Sequence, residues 1–298
     1  MYLWNTNKTI IFNNTVKSSK VSNGIFMEQS SYNTIDKNTV NSNSWHSLAI
    51  AYSSHINVSN NIANFNNNTG IFLWDTDNSL LWNNNASFNE NGMYLYFSSN
   101  NKVFNNTLTS NGNNGVLLMG FTDMINLTES TILNNYDGIW IEDCSGISIT
   151  GNTVNSNKER GIGLVNSANT ILQRNGVSNN LIGLYSENSN STINTNTVCD
   201  NTNLDFNSSA WLSSTGDNNT CSNPDGWNDT IRTGCTFKCP EKPFNCDLNN
   251  GGIYVKDYND LMSDYNCFLG VERNCNLIHM QDWNLMKQEY DCFTGNYN

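Results

Sequence analysis

"GIFLWDTDNSLLWNNNASFNENGMYLYFSSNNKVFNNTLTSNGNNGVLL", residues 70–118, contains one phrase three times: glycine, an apolar residue, any residue, leucine. Extended in both directions, the phrase opens at Gly24, Ser47, Gly70, Gly92, Gly115, Gly138, Gly161 and Gly183, always after 22 or 23 residues. A period this tight is the signature of a solenoid. With the opening residue as position zero, position one is apolar in Ile25, Ile71, Met93, Val116, Ile139 and Ile162. Position three repeats the preference in Met27, Ile50, Leu73, Leu95, Leu118, Ile141 and Leu164. Alternation of period two is that of a β-strand with these side chains pointing inward. Further apolar sites recur near position eleven (Ile35, Val58, Leu81, Val103) and position sixteen (Val40, Ala63, Ala86, Leu108). Three short strands per turn predict an all-β, three-sided coil, repeated about nine times in coils of 22–24 residues over residues 1–206.

Asparagine supplies the corners. The chain of 298 residues holds 61 of them. They occupy position fourteen in Asn38, Asn61, Asn84, Asn106, Asn152 and Asn175. They fill position nineteen in Asn43, Asn66, Asn89, Asn111, Asn134, Asn157 and Asn180. Stacked coils set each column at strand spacing, about 4.8 Å. An amide both donates and accepts, so such a column bonds along the coil axis. Asparagine also tolerates the left-handed backbone that tight corners use.

The pattern G-[IVM]-x-L-x-x-S-x-N-x-[IV]-x-x-N-x-V-x-x-N resembles the repeats of right-handed single-stranded parallel β-helices. NosD-type periplasmic proteins, archaeal surface β-helix proteins, pectate lyases and polygalacturonases share that architecture. The resemblance implies the fold and leaves function to the site. "MYLWNTNKTIIFNNTV" aligns with the stretch beginning at Met93, which places Met1 at position one, inside a strand. An open solenoid end asks for a cap, so further coils and a signal peptide are expected upstream.

Acidic residues outnumber basic ones 26 to 14, a net charge of −12. This argues against nucleic acid, whose phosphates need Lys/Arg neutralisation, and against anionic membranes and polyuronates. No run of 18 apolar residues is present, so direct membrane insertion is not expected. Eight of nine cysteines follow residue 198. That crowding points to disulfides, an oxidising compartment and an extracellular or cell-surface location.

Positions two and four of each first strand are expected to face solvent. They include Trp4, Phe26, Phe72, Trp74, Tyr94, Tyr96, Trp140 and Tyr185, an aromatic stripe suited to stacking on the sugars of a polysaccharide or surface glycoprotein. The expected function is therefore non-catalytic binding of glycan or a protein partner. Alternatives are a carbohydrate-active enzyme, either an inverting glycoside hydrolase or lyase-like, and a structural spacer. The catalytic candidates for the enzyme alternative are Glu142, Asp143 and Glu187. Glu142 and Glu187 lie two coils apart, about 9.6 Å, near the roughly 6.5–9.5 Å of an inverting pair. Polygalacturonase-like strands would carry a histidine, and lyase-like ones basic residues. Here Arg160 and Arg174 are placed at turns or outside the first strand. The NosD-type resemblance raises copper, but His46, His55 and His279 have no ligand spacing, and Met and His do not cluster.

Residues 207–245 form a Cys/Trp-rich cap and linker, similar to caps of archaeal surface β-helix proteins. Cys199, Cys221, Cys235 and Cys239 allow three disulfide connectivities; a four-thiolate zinc site is the alternative. Cys144 reads as a small buried apolar residue. Residues 246–298 contain a tandem of period 25, "CDLNNGGIYVKDYNDLMSDYNCF" and "VERNCNLIHMQDWNLMKQEYDCF", each an oxygen-rich loop followed by a short amphipathic helix. The tandem resembles a degenerate dockerin. That likeness implies calcium held by Asp247, Asn249 and Asp257, mirrored by Glu272, Asn274 and Asp282, and a docking partner for the tail. Gly251 and Asn276 depart from the dockerin pattern, and the alternative is a helix pair pinned by Cys246, Cys267, Cys275 and Cys292.

Overall fold

The computed structural model describes residues 1–20, 22–211 and 213–240. The expected partly α-helical tandem of residues 246–298 lies outside the described residues. Met1–Cys239 form one compact unit. No helix occurs among the described residues, and none is long and apolar enough to cross a membrane.

Every strand pairing is parallel, as stacked coils require. The first sheet has ten strands, from Tyr2–Trp4 through Thr69–Asp77, Asp137–Glu142 and Arg160–Val165 to Leu204–Ser208. The second also has ten, from Ile10–Phe12 to Thr215–Asp217. The third is a pair, Thr15–Lys17 with Thr39–Asn41, and a five-stranded run from Thr107–Thr109 to Thr197–Cys199. Single bridges through Ile62 and Asn85 join the two parts. The register is the one the phrase predicts: Ile71, Met93, Val116, Ile139, Ile162 and Leu184 are successive partners. Met1 sits at position one, since Tyr2 pairs with Phe26.

The inward residues make one continuous core. Ile71, Leu73, Leu81, Met93, Leu95 and Leu108 are fully buried. Glycine recurs at position zero because the wall is too close for a side chain, not because of its φ. A Cβ on Gly115 would lie 2.4 Å from Ile132 Cγ2 and 2.7 Å from the Gly138 carbonyl oxygen. The left-handed residues are instead at position five: Gln29, Tyr52, Asp75, Phe97, Asp143, Asn166 and Asn188 all have φ of 46–54°.

Asparagine columns brace two of the three corners. At position fourteen the backbone N–H and Nδ2 of Asn61 both donate to Asn84 Oδ1 (3.0 and 3.1 Å), while Nδ2 also reaches the Ile35 carbonyl. The same motif runs from Asn14 to Asn219, with Ser130 as the one hydroxyl rung. Each buried amide is thereby satisfied, which is the condition for keeping it inside. At position nineteen the column uses Asn135 rather than the expected Asn134. Gly120 and Phe121 insert one residue at the preceding corner, so Ser98 pairs with Thr122 after 24 residues. Asn134 then becomes the exposed left-handed residue. A third column, at position six, is of hydroxyls: Ser30, Ser53, Thr76, Ser98, Thr122, Ser167 and Ser189. Cys144 is buried as expected but takes a rung of this polar column. Its N–H donates to Ser167 Oγ, and its Sγ to the Glu142 carbonyl.

Both asparagine columns end on a buried aspartate. Asn219 N–H and Nδ2 donate to Asp229 at 3.0 and 2.8 Å, and Asn201 Nδ2 donates to Asp205 at 3.0 Å. Trp227 closes the core, stacked on Phe206 at 5.5 Å. Of the three connectivities, the structure has Cys199–Cys239 and Cys221–Cys235, which leaves no four-thiolate zinc site. Cys246, Cys267, Cys275 and Cys292 lie outside the described residues.

Candidate functional site

The parallel register stacks the outward residues of the first sheet into two columns, at positions two and four. Rungs at strand spacing force neighbouring rings onto one another. Of the expected stripe Trp4 (59%) and Trp74 (39%) are exposed, as is Tyr2 (61%) beside Trp4, whereas Phe26, Phe72, Tyr94, Tyr96, Trp140 and Tyr185 are half-buried. The expected solvent-facing stripe is thus a packed wall. It also has gaps: Ala49, Ala51, Leu117 and Gly163 are buried beneath their larger neighbours.

One block of the wall is apolar. Phe72 stands between His46 (4.5 Å, stacked) and Tyr94 (5.2 Å, tilted). Tyr52 lies 4.9 Å from Trp74, and Tyr96 lies 4.3 Å from Phe97. The inserted Phe121, 70% exposed, extends the rim from Phe97. Burial pushes the Tyr94 phenol pKa up, helped by Tyr96 and Glu142. At the first coil, Tyr2 donates to Glu28 (2.8 Å) and Trp4 Nε1 to Gln29 (3.0 Å).

A second block is polar and was missed as a unit by the sequence. Arg160 is no turn residue: it opens the strand Arg160–Val165, at position minus one. Its guanidinium swings over the wall, 4.9 Å from the Trp140 ring and 5.0 Å from the Tyr185 ring. Those two rings stack at 6.3 Å and 12° although their strands are two rungs apart. Gly163, on the rung between, makes this possible, because a Cβ there would lie 2.4 Å from Trp140 Cε3. Arg160 Nη1 pairs with buried Asp137 at 3.5 Å, and the Arg160 N–H donates to Asp137 Oδ1 at 2.9 Å. Burial raises the Asp137 pKa against the pull of Arg160. Glu142 accepts from Trp140 Nε1 (3.1 Å) and Glu187 from the Tyr185 hydroxyl (2.6 Å), a bond that raises the Tyr185 pKa. Glu142 and Glu187 both pair with Val165, so they flank it in one column, while Asp143 sits at the exposed corner. One signal was available: position minus one is polar in Asn91, Asn114, Asp137 and Arg160 alike.

A long parallel β-helix with an aromatic outer wall defines a class of repeat proteins. Residues 1–123 and 89–226 match the family described as "Periplasmic copper-binding protein (NosD)", and the chain belongs to that family. No curated protein matches it in sequence. Among solved structures, a double mutant of the periplasmic alginate epimerase AlgG superposes with a TM-score of 0.63 at 15% identity, over 73% of this chain and 70% of that one. The A-module of Azotobacter vinelandii mannuronan C-5 epimerase AlgE6 gives 0.61 at 16%, over 77% and 65%. Tailspike protein 2 of an Escherichia coli O157:H7 bacteriophage gives 0.51 at 12%, over 65% and 34%. At these identities the likeness is one of fold.

The family description implies copper, and the donors among the described residues do not fit it. Among the described residues no three His, Cys, Asp or Glu converge. His46 is buried against Phe72, its Nδ1 accepts the Thr69 N–H (3.3 Å), and burial pushes its pKa down to about 4. His55 stacks on Tyr32 at 4.5 Å. Burial pushes the Cys144 thiol up to about 12, far from a ready thiolate ligand. His279 and the calcium candidates Asp247, Asn249, Asp257, Glu272, Asn274 and Asp282 lie outside the described residues.

Proposed function

We propose that this protein is a non-catalytic, envelope-located β-helix that binds an uncharged glycan along the aromatic wall of its first sheet. The observation that carries the reading is the row of half-exposed rings on consecutive rungs, Phe72/Trp74 and Tyr94/Tyr96. Flat rings at about 4.8 Å intervals offer an extended sugar chain a stacking surface on its own scale. The charge pattern supports a neutral ligand: no Lys or Arg occupies position two or four, and Arg160 is paired to Asp137. The polysaccharide epimerases among the structural neighbours support a glycan partner. Two disulfides support an oxidising location outside the cytoplasm. The test is a glycan array with the parent, Trp74→Ala and Tyr96→Ala. Binding lost in both variants supports the reading, and a parent that binds nothing defeats it.

A second reading, a carbohydrate-active enzyme, is favoured by the single column that holds Glu142 and Glu187 beside Tyr185. Reducing ends released from a polysaccharide, and not released by Glu142→Gln, would replace the first reading with this one. Silence in both assays would leave a structural spacer. The proposed role of the C-terminal tandem is calcium-dependent docking to an envelope partner. Calcium titration of the full chain by calorimetry, with heat lost in an Asp257→Ala/Asp282→Ala variant, tests it; no heat from the parent ends it.

A further inference from the structure

The outer wall of the first sheet holds two blocks of different chemistry with a saddle between them. The Phe72/Trp74 and Tyr94/Tyr96 rungs carry rings and no charge. The Trp140/Glu142, Gly163/Val165 and Tyr185/Glu187 rungs carry rings, two oriented carboxylates and the Arg160 guanidinium. Leu117 and Met119 separate them, Leu117 being buried. We propose that the glycan-binding wall is bipartite: the apolar block stacks sugars whatever their hydroxyl pattern, and the Trp140–Arg160–Tyr185 block is a second subsite that reads the hydroxyls of a neutral oligosaccharide. This rests on the glycan-binding reading above.

The polar block is built for a purpose beyond packing. Glycine inside a strand weakens it, yet Gly163 stands mid-strand where any Cβ would push Trp140 aside. The gap lets the Trp140 and Tyr185 rings close to 6.3 Å with the Arg160 guanidinium over both. Arg160 spends only Nη1 on Asp137, at 3.5 Å, with 26% of its side chain exposed, so the outer guanidinium N–H groups face outward while its Nε is buried without a partner. Each glutamate is fixed through Oε2 by a single donor on its own strand, Trp140 for Glu142 and Tyr185 for Glu187. The block therefore shows a ligand stationary acceptors, stationary N–H donors and ring faces together. Sugar hydroxyls, which donate and accept at once, match that mixture. A carboxylated sugar does not, since it would meet two glutamates and one cation that is already paired.

Spacing gives the inference a measurable consequence. Phe72 and Tyr185 are five rungs apart, about 24 Å, and the inner rungs of the two blocks, at Tyr94 and Trp140, are two apart, about 10 Å. A short glycan engages one block. One long enough to cross the Leu117/Met119 saddle engages both, and the second contact becomes intramolecular.

The experiment is calorimetric titration of the full chain with cello-, manno- and xylo-oligosaccharides from disaccharide to octasaccharide. The expected result is a step in affinity of at least about tenfold at the length that first bridges the blocks. Gly163→Ala and Arg160→Gln should each remove the step. Trp74→Ala should weaken every length. Gly163→Ala changes one outward methyl, and matching circular dichroism will establish its fold. A smooth rise with length in the parent, or a step that survives in both Gly163→Ala and Arg160→Gln, overturns the bipartite wall while leaving glycan binding intact. A parent that binds none of the three series overturns both.

Discussion

Replacing Asp229 by asparagine should loosen the C-terminal end of the solenoid by about 4 kcal/mol at neutral pH. Asp229 Oδ1 accepts Asn219 Nδ2 (2.8 Å) and Trp227 Nε1 (2.9 Å). Oδ2 accepts the backbone N–H of Asn219 (3.0 Å), the backbone N–H of Thr236 (2.7 Å) and the Thr236 hydroxyl (2.7 Å). An amide in either orientation turns an NH₂ toward two or three donors. The Thr236 hydroxyl can rotate away, so two donors lose their acceptor whichever way the amide sits. Each buried donor left unmatched costs about 1–3 kcal/mol, which gives the figure above. The pH dependence has a definite sign. Burial pushes the Asp229 pKa up, but the hydrogen bonds from Asn219, Thr236 and Trp227 outweigh it and hold the pKa below the ordinary 3.8. A depressed carboxylate contributes stability above its unfolded pKa and loses it as pH falls through the folded one. Denaturant unfolding of parent and Asp229→Asn at pH 7, 5 and 3, with hydrogen exchange at the Asn219 and Thr236 amides, measures this. The two proteins should differ most at pH 5–7 and converge below about pH 3.8. A difference under about 1 kcal/mol at pH 7 would refute the assignment of Asp229 as the column's terminal acceptor.

Other consequences are as direct. Asn84→Leu should destabilise by about 3 kcal/mol, because it strands the Asn61 donors and the Val58 carbonyl; Asn84→Ser, which copies the natural Ser130 rung, should be milder in the same unfolding assay. His46 is neutral when folded, so its burial contributes fully above its usual pKa of 6.5, and stability should fall by about 3 kcal/mol as pH drops from 6.5 to about 4. His46→Asn, the residue found at Asn91 and Asn114 in that column, should flatten the slope. Reducing Cys199–Cys239, which spans 40 residues, should lower stability by about 4 kcal/mol, and Cys221–Cys235, spanning 14, by about 3, measured with Cys→Ser pairs.

The spacing of the Gly-apolar-x-Leu phrase carried the fold, because inward alternation and a period of 22 or 23 residues leave a three-sided coil as their natural arrangement. The columns were legible for the same reason, except at Asn134. There a one-residue insertion at Gly120 carries through the Ser130 and Asn135 corners and is undone only before Asp137, so counting from glycine to glycine returns the right total with the wrong rung. Cys144 was read from its type alone, whereas its place in a hydroxyl column follows from position. The wall itself was visible as a stripe of ring-bearing residues. The Arg160 bracket was not, since it depends on a side chain crossing from one end of a strand to rings on the rungs either side. The disulfide pairing was beyond spacing, which left three choices open. Of the aspartates that close the columns, Asp205 takes the glycine's place one repeat after Gly183, and Asp229 lies beyond the last strand.

The columns of amides also have a direction. From Asn14 onward every rung hands its protons to the next rung toward the carboxyl end, until an anion receives the last of them. A whole turn can be cut out or spliced in without disturbing that hand-over, because each rung asks the same of its neighbour. Fractional turns cannot. Length in this molecule is therefore quantised, and lineages that vary it are expected to do so by gaining or losing complete repeats while the terminal aspartates stay fixed.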